Sequence, residues 1–105
     1  MYYILEGKIP KKVPVEEWVF QDPITRIVNK TNIENIEIST VFLGLDHSYN
    51  NLIPLLFETM IFGGDFDQMC WRYSTYEEAE NGHKNAVRQV KSQESSLKGW
   101  RNIND

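Results

Sequence analysis

A chain of 105 residues is long enough for one domain and too short for two, and its 41% apolar and 12% aromatic content supports a packed core rather than disorder. A formal net charge of −4 excludes a general duplex-binding surface, which needs a basic footprint to release counterions. The single cysteine, Cys70, excludes an intramolecular disulfide, a zinc ribbon and C-x-x-C redox chemistry.

Tyr2 to Glu6 reads as a short strand ending at Gly7, and Lys8 to Pro14 as a loop framed by two prolines. Pro14 suits the first turn of a helix over Val15 to Gln21, with Glu16 and Glu17 near its positive end and Trp18 as its core anchor. Asp22-Pro23 ends that helix. Ile24 to Lys30 alternates as a strand does, and Lys30 to Asn35 is turn-like.

Ile36 to Leu45 begins as a half-buried strand. From Thr40 onward it turns apolar on both sides, with Val41, Leu43 and Leu45 opposite Phe42. After a polar loop from Asp46 to Ile53, Pro54 to Phe62 repeats the two-sided pattern, with Glu58 alone in its middle. Strands apolar on both faces imply a covering helix on one side and leave the other for a partner subunit, so a homodimer or higher homo-oligomer is expected. Gly63-Gly64 is a turn, Asp65 to Gln68 a loop, and Met69 to Tyr73 a short edge strand.

Thr75 with Glu78 three residues on forms a capping box, and it opens a helix with Lys84, Arg88 and Lys91 in its later turns. The apolar stripe is Tyr76, Ala79, His83, Ala86/Val87 and Val90, and Ala79, Gly82 and Ala86 make a narrow face that permits close approach. From Ser92 the chain is polar and unpatterned apart from Leu97 and Trp100. The expected organisation is therefore one domain over 1–91 and a polar tail over 92–105. The fold class is α+β: a small antiparallel sheet of about four strands, with a short N-terminal helix and a longer C-terminal helix packed on it.

Several groups carry potential chemistry. Residues 37–82 hold eight acids and one base, Arg72. Glu58, inside an apolar strand, must titrate upward, lie at a rim or pair with a base, and Arg72 is the base nearest in sequence. Arg72, Tyr73, Ser74 and Thr75 are the best binding candidates. A helix N-terminus offers free N–H groups to a phosphate, an arginine adds a fork of donors, and Trp71 and Tyr73 could stack on a base. The competing reading is that Ser74 and Thr75 only cap, Arg72 only pairs and the aromatics are core. Lys8, Lys11 and Lys12 are a solvated loop or a cover for an anion. Asp46, His47, Glu58 and His83 are conceivable metal ligands without a supporting spacing. A hydrogen-bonded core histidine is the plainer reading of His83, and a backbone-bonded loop residue that of Asp46. Cys70, beside Trp71, reads as a small core hydrophobe. No nucleophile elbow, P-loop or GxGxxG is present. With no signal-peptide pattern at the start and no apolar run of spanning length, a cytoplasmic protein without membrane contact is expected.

The blocks STVFLGLDH (39–47), PLLFETMIFGG (54–64) and RYSTYEEAENGH (72–83), with the opening MYYILEGKIP, resemble a family of short bacteriophage and prophage proteins over roughly residues 1–90. The resemblance implies a phage accessory protein. Small phage α+β proteins include anti-defence sponges, which bind a host nucleotide immune signal without cleaving it. The reading that follows is a non-enzymatic sponge for a cyclic nucleotide or cyclic ADP-ribose-type ligand, without a cofactor. Its ligand-binding residues would be Trp71, Arg72, Tyr73, Ser74, Thr75, Glu58 and His47. The alternatives are an accessory protein that contacts a host protein through its apolar strand face, and a small metal-dependent hydrolase.

Overall fold

The computed structural model describes residues 1–20, 26–46 and 53–103, with 96–103 as backbone alone. The fold is α+β, with two antiparallel sheets and two helices among the described residues. β1 (Tyr2–Glu6) and β2 (Ile9–Val13) form a hairpin. α1 (Val15–Val19) follows. Then β3 (Ile27–Ile33), β4 (Ile36–Phe42), β5 (Phe57–Phe62) and β6 (Cys70–Tyr73) form a four-stranded meander in chain order, and α2 (Tyr76–Ile103) closes the chain.

The hairpin corrects the loop expected over Lys8 to Pro14. Glu6 pairs with Ile9, which leaves a two-residue turn, and Gly7 occupies its first central position at φ 64°, as a type II′ turn requires. Pro10 pairs with Leu5 on an outer strand, where a missing N–H breaks no ladder bond. The hairpin is tied to the chain leaving β4 by Tyr3 N donating to Gly44 O at 2.8 Å and by a bridge between Tyr2 and Leu45.

α1 is one residue pair shorter than the helix expected to Gln21, which lies outside the described residues, as do Ile24 and Thr25 of the expected strand. Trp18 sits 5.2 Å from the Tyr2 ring and beneath the Arg26 guanidinium at 5.0 Å. β3 runs on through the segment expected to turn, so only Glu34 and Asn35 connect it to β4, with Glu34 left-handed at φ 55°. The helix does not stop near Lys91 but continues to Ile103. Its extra turns need no apolar stripe, because once a helix is nucleated each further residue adds a hydrogen bond at little cost.

The meander places alternate residues on opposite faces. Ile36, Ile38, Thr40 and Phe42 of β4, with Phe57, Thr59 and Ile61 of β5, are buried against α2. On the helix side, Ala79, His83, Ala86 and Val90 are 0–2% exposed. The core has two apolar halves. One is Ile36, Ile38, Ile61, Ala86 and Val90, with Trp71 and Val87 against it; the other is Phe42, Leu56, Phe57 and Ala79, with Tyr3, Tyr73 and Tyr76 against it. Each fully buried Ile or Phe contributes about 1.5–3 kcal/mol relative to exposure. The opposite face carries Glu37, Ser39, Val41, Glu58, Met60 and Phe62 and is only half covered. No helix among the described residues is long and apolar enough to cross a membrane.

Candidate functional site

The strand alternation of β6 divides the residues grouped by sequence. Arg72 lies directly across from Glu58 on the open face, and its Nε donates to Glu58 Oε2 at 3.0 Å. Cys70 shares that face and donates to the same carboxylate oxygen at 3.7 Å. Its thiol is pushed above the ordinary value, first by desolvation and then by the Glu58 carboxylate, so it stays protonated and a weak nucleophile at neutral pH. Trp71 and Tyr73 point the other way, toward α2. Arg72 therefore joins Glu58, while Trp71 and Tyr73 stand on the other side of the sheet. His47 lies outside the described residues.

Ser74 and Thr75 form the capping box that the sequence spells. Ser74 N and Thr75 N donate to Glu78 Oε1 at 3.2 and 3.1 Å, and Glu78 N donates back to Thr75 Oγ1 at 3.1 Å. The Thr75 hydroxyl also donates to Glu78 Oε1, at 3.1 Å. The carboxylate of Glu78 thus fills the place at the helix start that an external anion would take. Two of the three lysines of the N-terminal hairpin are likewise engaged: Lys11 with Glu6 at 3.3 Å, and Lys8 with Glu80 at 3.7 Å while lying 5.3 Å from the Tyr76 ring. A cleft of about 380 Å³ beside Lys8 and Ile9 is lined by Thr75, Tyr76, Glu77 and Glu80, and its two glutamates make it unsuited to an anion.

His83 is buried at the middle of the helix–sheet contact, between the two apolar halves of the core. Thr40 Oγ1 lies 2.7 Å from its Nδ1 and Thr31 Oγ1 lies 2.8 Å from its Nε2. Thr40 is bonded in turn to Thr59 at 2.5 Å, and Thr59 meets the hydroxyl of Tyr73. Burial lowers the His83 pKa, so the imidazole is neutral, with one nitrogen donating and the other accepting. Burial also raises the Tyr73 pKa, partly opposed by the Thr59 hydrogen bond, so the phenol keeps its proton. His83 is a hydrogen-bonded core histidine. Its partners, all threonines, are what sequence reading missed.

Of the four conceivable metal ligands, His47 lies outside the described residues, and the sheet separates His83 from Glu58. His83 is on the helix face and Glu58 on the open face, while Asp46 accepts a hydrogen bond from Leu55 N at 3.2 Å. Among the described residues no group of three or more His, Cys, Asp or Glu side chains is placed to hold a metal ion.

The side chains that do converge are those between the edge strand and the helix. Met69, Trp71 and Tyr73 on one side, and Gly82, Asn85, Ala86 and Gln89 on the other, line a groove of about 280 Å³. At Gly82 a β-carbon would collide with the ring and hydroxyl of Tyr73, so the small residue lets the tyrosine pack directly on the helix. Asn85 and Gln89 went unnoticed in the sequence, although their i, i+4 spacing beside Gly82 and Ala86 puts all four on one strip of the helix.

In comparisons with known proteins, no family model, no curated protein and no solved structure matches this chain.

Proposed function

We propose that this protein is a non-enzymatic binder of a nucleotide-type ligand, a phage-type anti-defence sponge that holds a cyclic nucleotide or cyclic ADP-ribose-type signal without cleaving it. The observation that carries the reading is the groove between β6 and α2, in which Trp71 and Tyr73 present aromatic surface beside polar groups. Base–aromatic stacking is worth about 1–3 kcal/mol per base. The reactive groups are otherwise engaged, which favours holding over chemistry: both nitrogens of His83 are taken by threonines, Glu58 is taken by Arg72 and Cys70 stays protonated. The resemblance of the 39–47, 54–64 and 72–83 blocks to phage proteins supplies the ligand class. Arg72 and Glu58 lie outside this groove, so the reading places the ligand on Trp71 and Tyr73.

Calorimetry against cyclic dinucleotides, cyclic trinucleotides and cyclic ADP-ribose isomers tests it, followed by heating and recovery of the bound molecule. Binding with the ligand recovered intact is expected, and Trp71→Ala weakens it about 5- to 150-fold. Failure to bind any of them, or recovery of a cleaved product, refutes the sponge.

A second reading is favoured by the open sheet face. Ile27 and Phe62 are 44% and 43% exposed there, beside the half-buried Val41 and Met60. Apolar surface of this kind suits a host protein or a second copy of the chain. If the protein works through that face, Phe62→Asp abolishes the association seen by sedimentation or co-purification while leaving nucleotide binding untouched.

A further inference from the structure

We propose that Arg26, seated on the Trp18 ring, receives a small oxyanion, a phosphate or carboxylate group, at the end of the sheet where α1, β1 and the exit of β4 meet. The site lies apart from the groove between β6 and α2 and does not rest on the nucleotide reading.

Arg26 differs from every other base among the described residues. Lys8, Lys11, Lys30 and Arg72 are exposed and paired with carboxylates. Arg88 is exposed and bonded to Asn85, and Lys12, Lys84 and Lys91 stand exposed in water. Arg26 alone is partly buried, and it makes no ion pair and no hydrogen bond among the described residues. Its Nε is buried without an acceptor, whereas buried polar groups in folded proteins nearly always have one. The two terminal nitrogens are likewise unbonded but reach solvent. The chain has fifteen acids to its eleven bases, so the partly buried cation is not left unpaired for want of carboxylates.

A guanidinium cannot shed its charge on burial, so something must offset the lost water. The Trp18 indole does part of this. Arg26 Cζ lies 5.0 Å from the ring, a cation–π contact that attracts the charge and leaves the N–H groups of the terminal nitrogens free to donate. The platform itself is fixed. Trp18 packs on the Tyr2 ring at 5.2 Å, and its Nε1 lies against Gly44, where a β-carbon would collide with it. Gly44 also has φ 76°, so both its backbone and the space beside it call for glycine. Its carbonyl takes the N–H of Tyr3 at 2.8 Å, which ties the platform to β1. The arginine is thus held in place before a ligand arrives, and little side-chain freedom remains to be lost on binding. A fork of charged donors with no carboxylate of its own matches the paired oxygens of a phosphate or carboxylate.

The test uses the full chain labelled with ¹⁵N, titrated separately with inorganic phosphate and with acetate at constant pH, with ionic strength held by sodium chloride. The readouts are Arg26 Nε–H and the Trp18 indole N–H, with the Trp71 indole N–H as the internal control. One of the two anions, or both, is expected to shift the Arg26 and Trp18 signals to saturation while Trp71 stays still, and the arm that saturates at lower concentration names the ligand's chemistry. Arg26→Gln is expected to weaken that binding about 10- to 150-fold, the worth of hydrogen bonds to a charged group. Arg26→Lys keeps the charge, loses the fork and is also expected to weaken it, which decides the matter if the glutamine variant loses the native backbone spectrum. Shifts that stay linear for both anions, or that saturate equally in Arg26→Lys, overturn the site. Neither result bears on nucleotide binding at Trp71, which calorimetry reads separately.

Discussion

Replacing Gly82 with alanine sets two effects of opposite sign against each other. Helix propensity alone favours the alanine by about 1 kcal/mol, since glycine loses more backbone entropy in a helix interior. The geometry opposes it. A β-carbon at 82 collides with Tyr73 Oη, Cζ and Cε1. The helix cannot retreat, because Ala79, His83 and Ala86, each at most 2% exposed, fix it to the sheet. Tyr73 must swing out of the edge strand's inner face, losing its contact with Thr59 and its packing on the Phe42–Phe57 cluster. Overpacking of this kind costs about 1–3 kcal/mol. The net expectation is a loss of roughly 0–2 kcal/mol, read from urea unfolding at neutral pH with an unchanged m-value, or as a fall in Tm of about 4–8 °C per kcal/mol. In a Tyr73→Leu background the colliding atoms are gone, and the same alanine is expected to stabilise by about 1 kcal/mol. That reversal is the decisive outcome. A Gly82→Ala variant that gains about 1 kcal/mol in the wild-type background, additively with Tyr73→Leu, would refute the close approach.

Other consequences are simpler to state. His83 is neutral when folded, with its pKa lowered by burial, while in the unfolded chain it takes a proton near its ordinary value of 6.5. Its contribution is therefore complete above that value and is lost as the pH falls below it, with a slope of at most about 1.4 kcal/mol per pH unit from this group. The difference in unfolding free energy between wild type and His83→Gln across pH 4.5–7.5, a window set by roughly two units around the ordinary value, isolates it, and parallel curves would refute the assignment. His83→Leu leaves the Thr31 hydroxyl without the partner it has at 2.8 Å and is expected to cost about 1–3 kcal/mol per stranded hydroxyl, measured by urea unfolding. Thr75→Ala removes the cap acceptor for Glu78 N and is expected to cost about 0.5–2 kcal/mol, with amide exchange quickening first at the start of α2. The Glu58–Arg72 pair is expected to show a coupling of only about 0.2–1 kcal/mol in a double-mutant cycle, shrinking in high salt, because the arginine is 41% exposed.

Much of the fold was legible because it is written in short-range patterns. The alternation of Ile36, Ile38 and Phe42, the run through Phe57 and Ile61, and the Thr75/Glu78 box each specify one element without help from the rest of the chain. Signals of other kinds misled. The prolines around Lys11 and Lys12 suggested a loop, yet an outer hairpin strand tolerates them, and the polar stretch after Ser92 suggested a tail although helix continuation requires no apolar stripe. Adjacency in sequence also did not keep the candidate residues on one face. Period-two alternation already implies that Arg72 opposes Trp71 and Tyr73, and the register with Glu58 completes the separation.

By itself, then, the sequence determined β1, β4, β5 and β6, the apolar face of the sheet and how α2 begins, because these depend on contacts within a few residues. Only the tertiary structure decided that His83 would meet Thr31 and Thr40, 52 and 43 residues away. It also decided that the small-residue face of α2 would be met by Tyr73 rather than by another helix. That contact leaves a groove whose polar wall is Asn85 and Gln89. Such pairings depend on where the sheet sits beneath the helix, and that is set by the summed packing of the whole core, which no local pattern encodes.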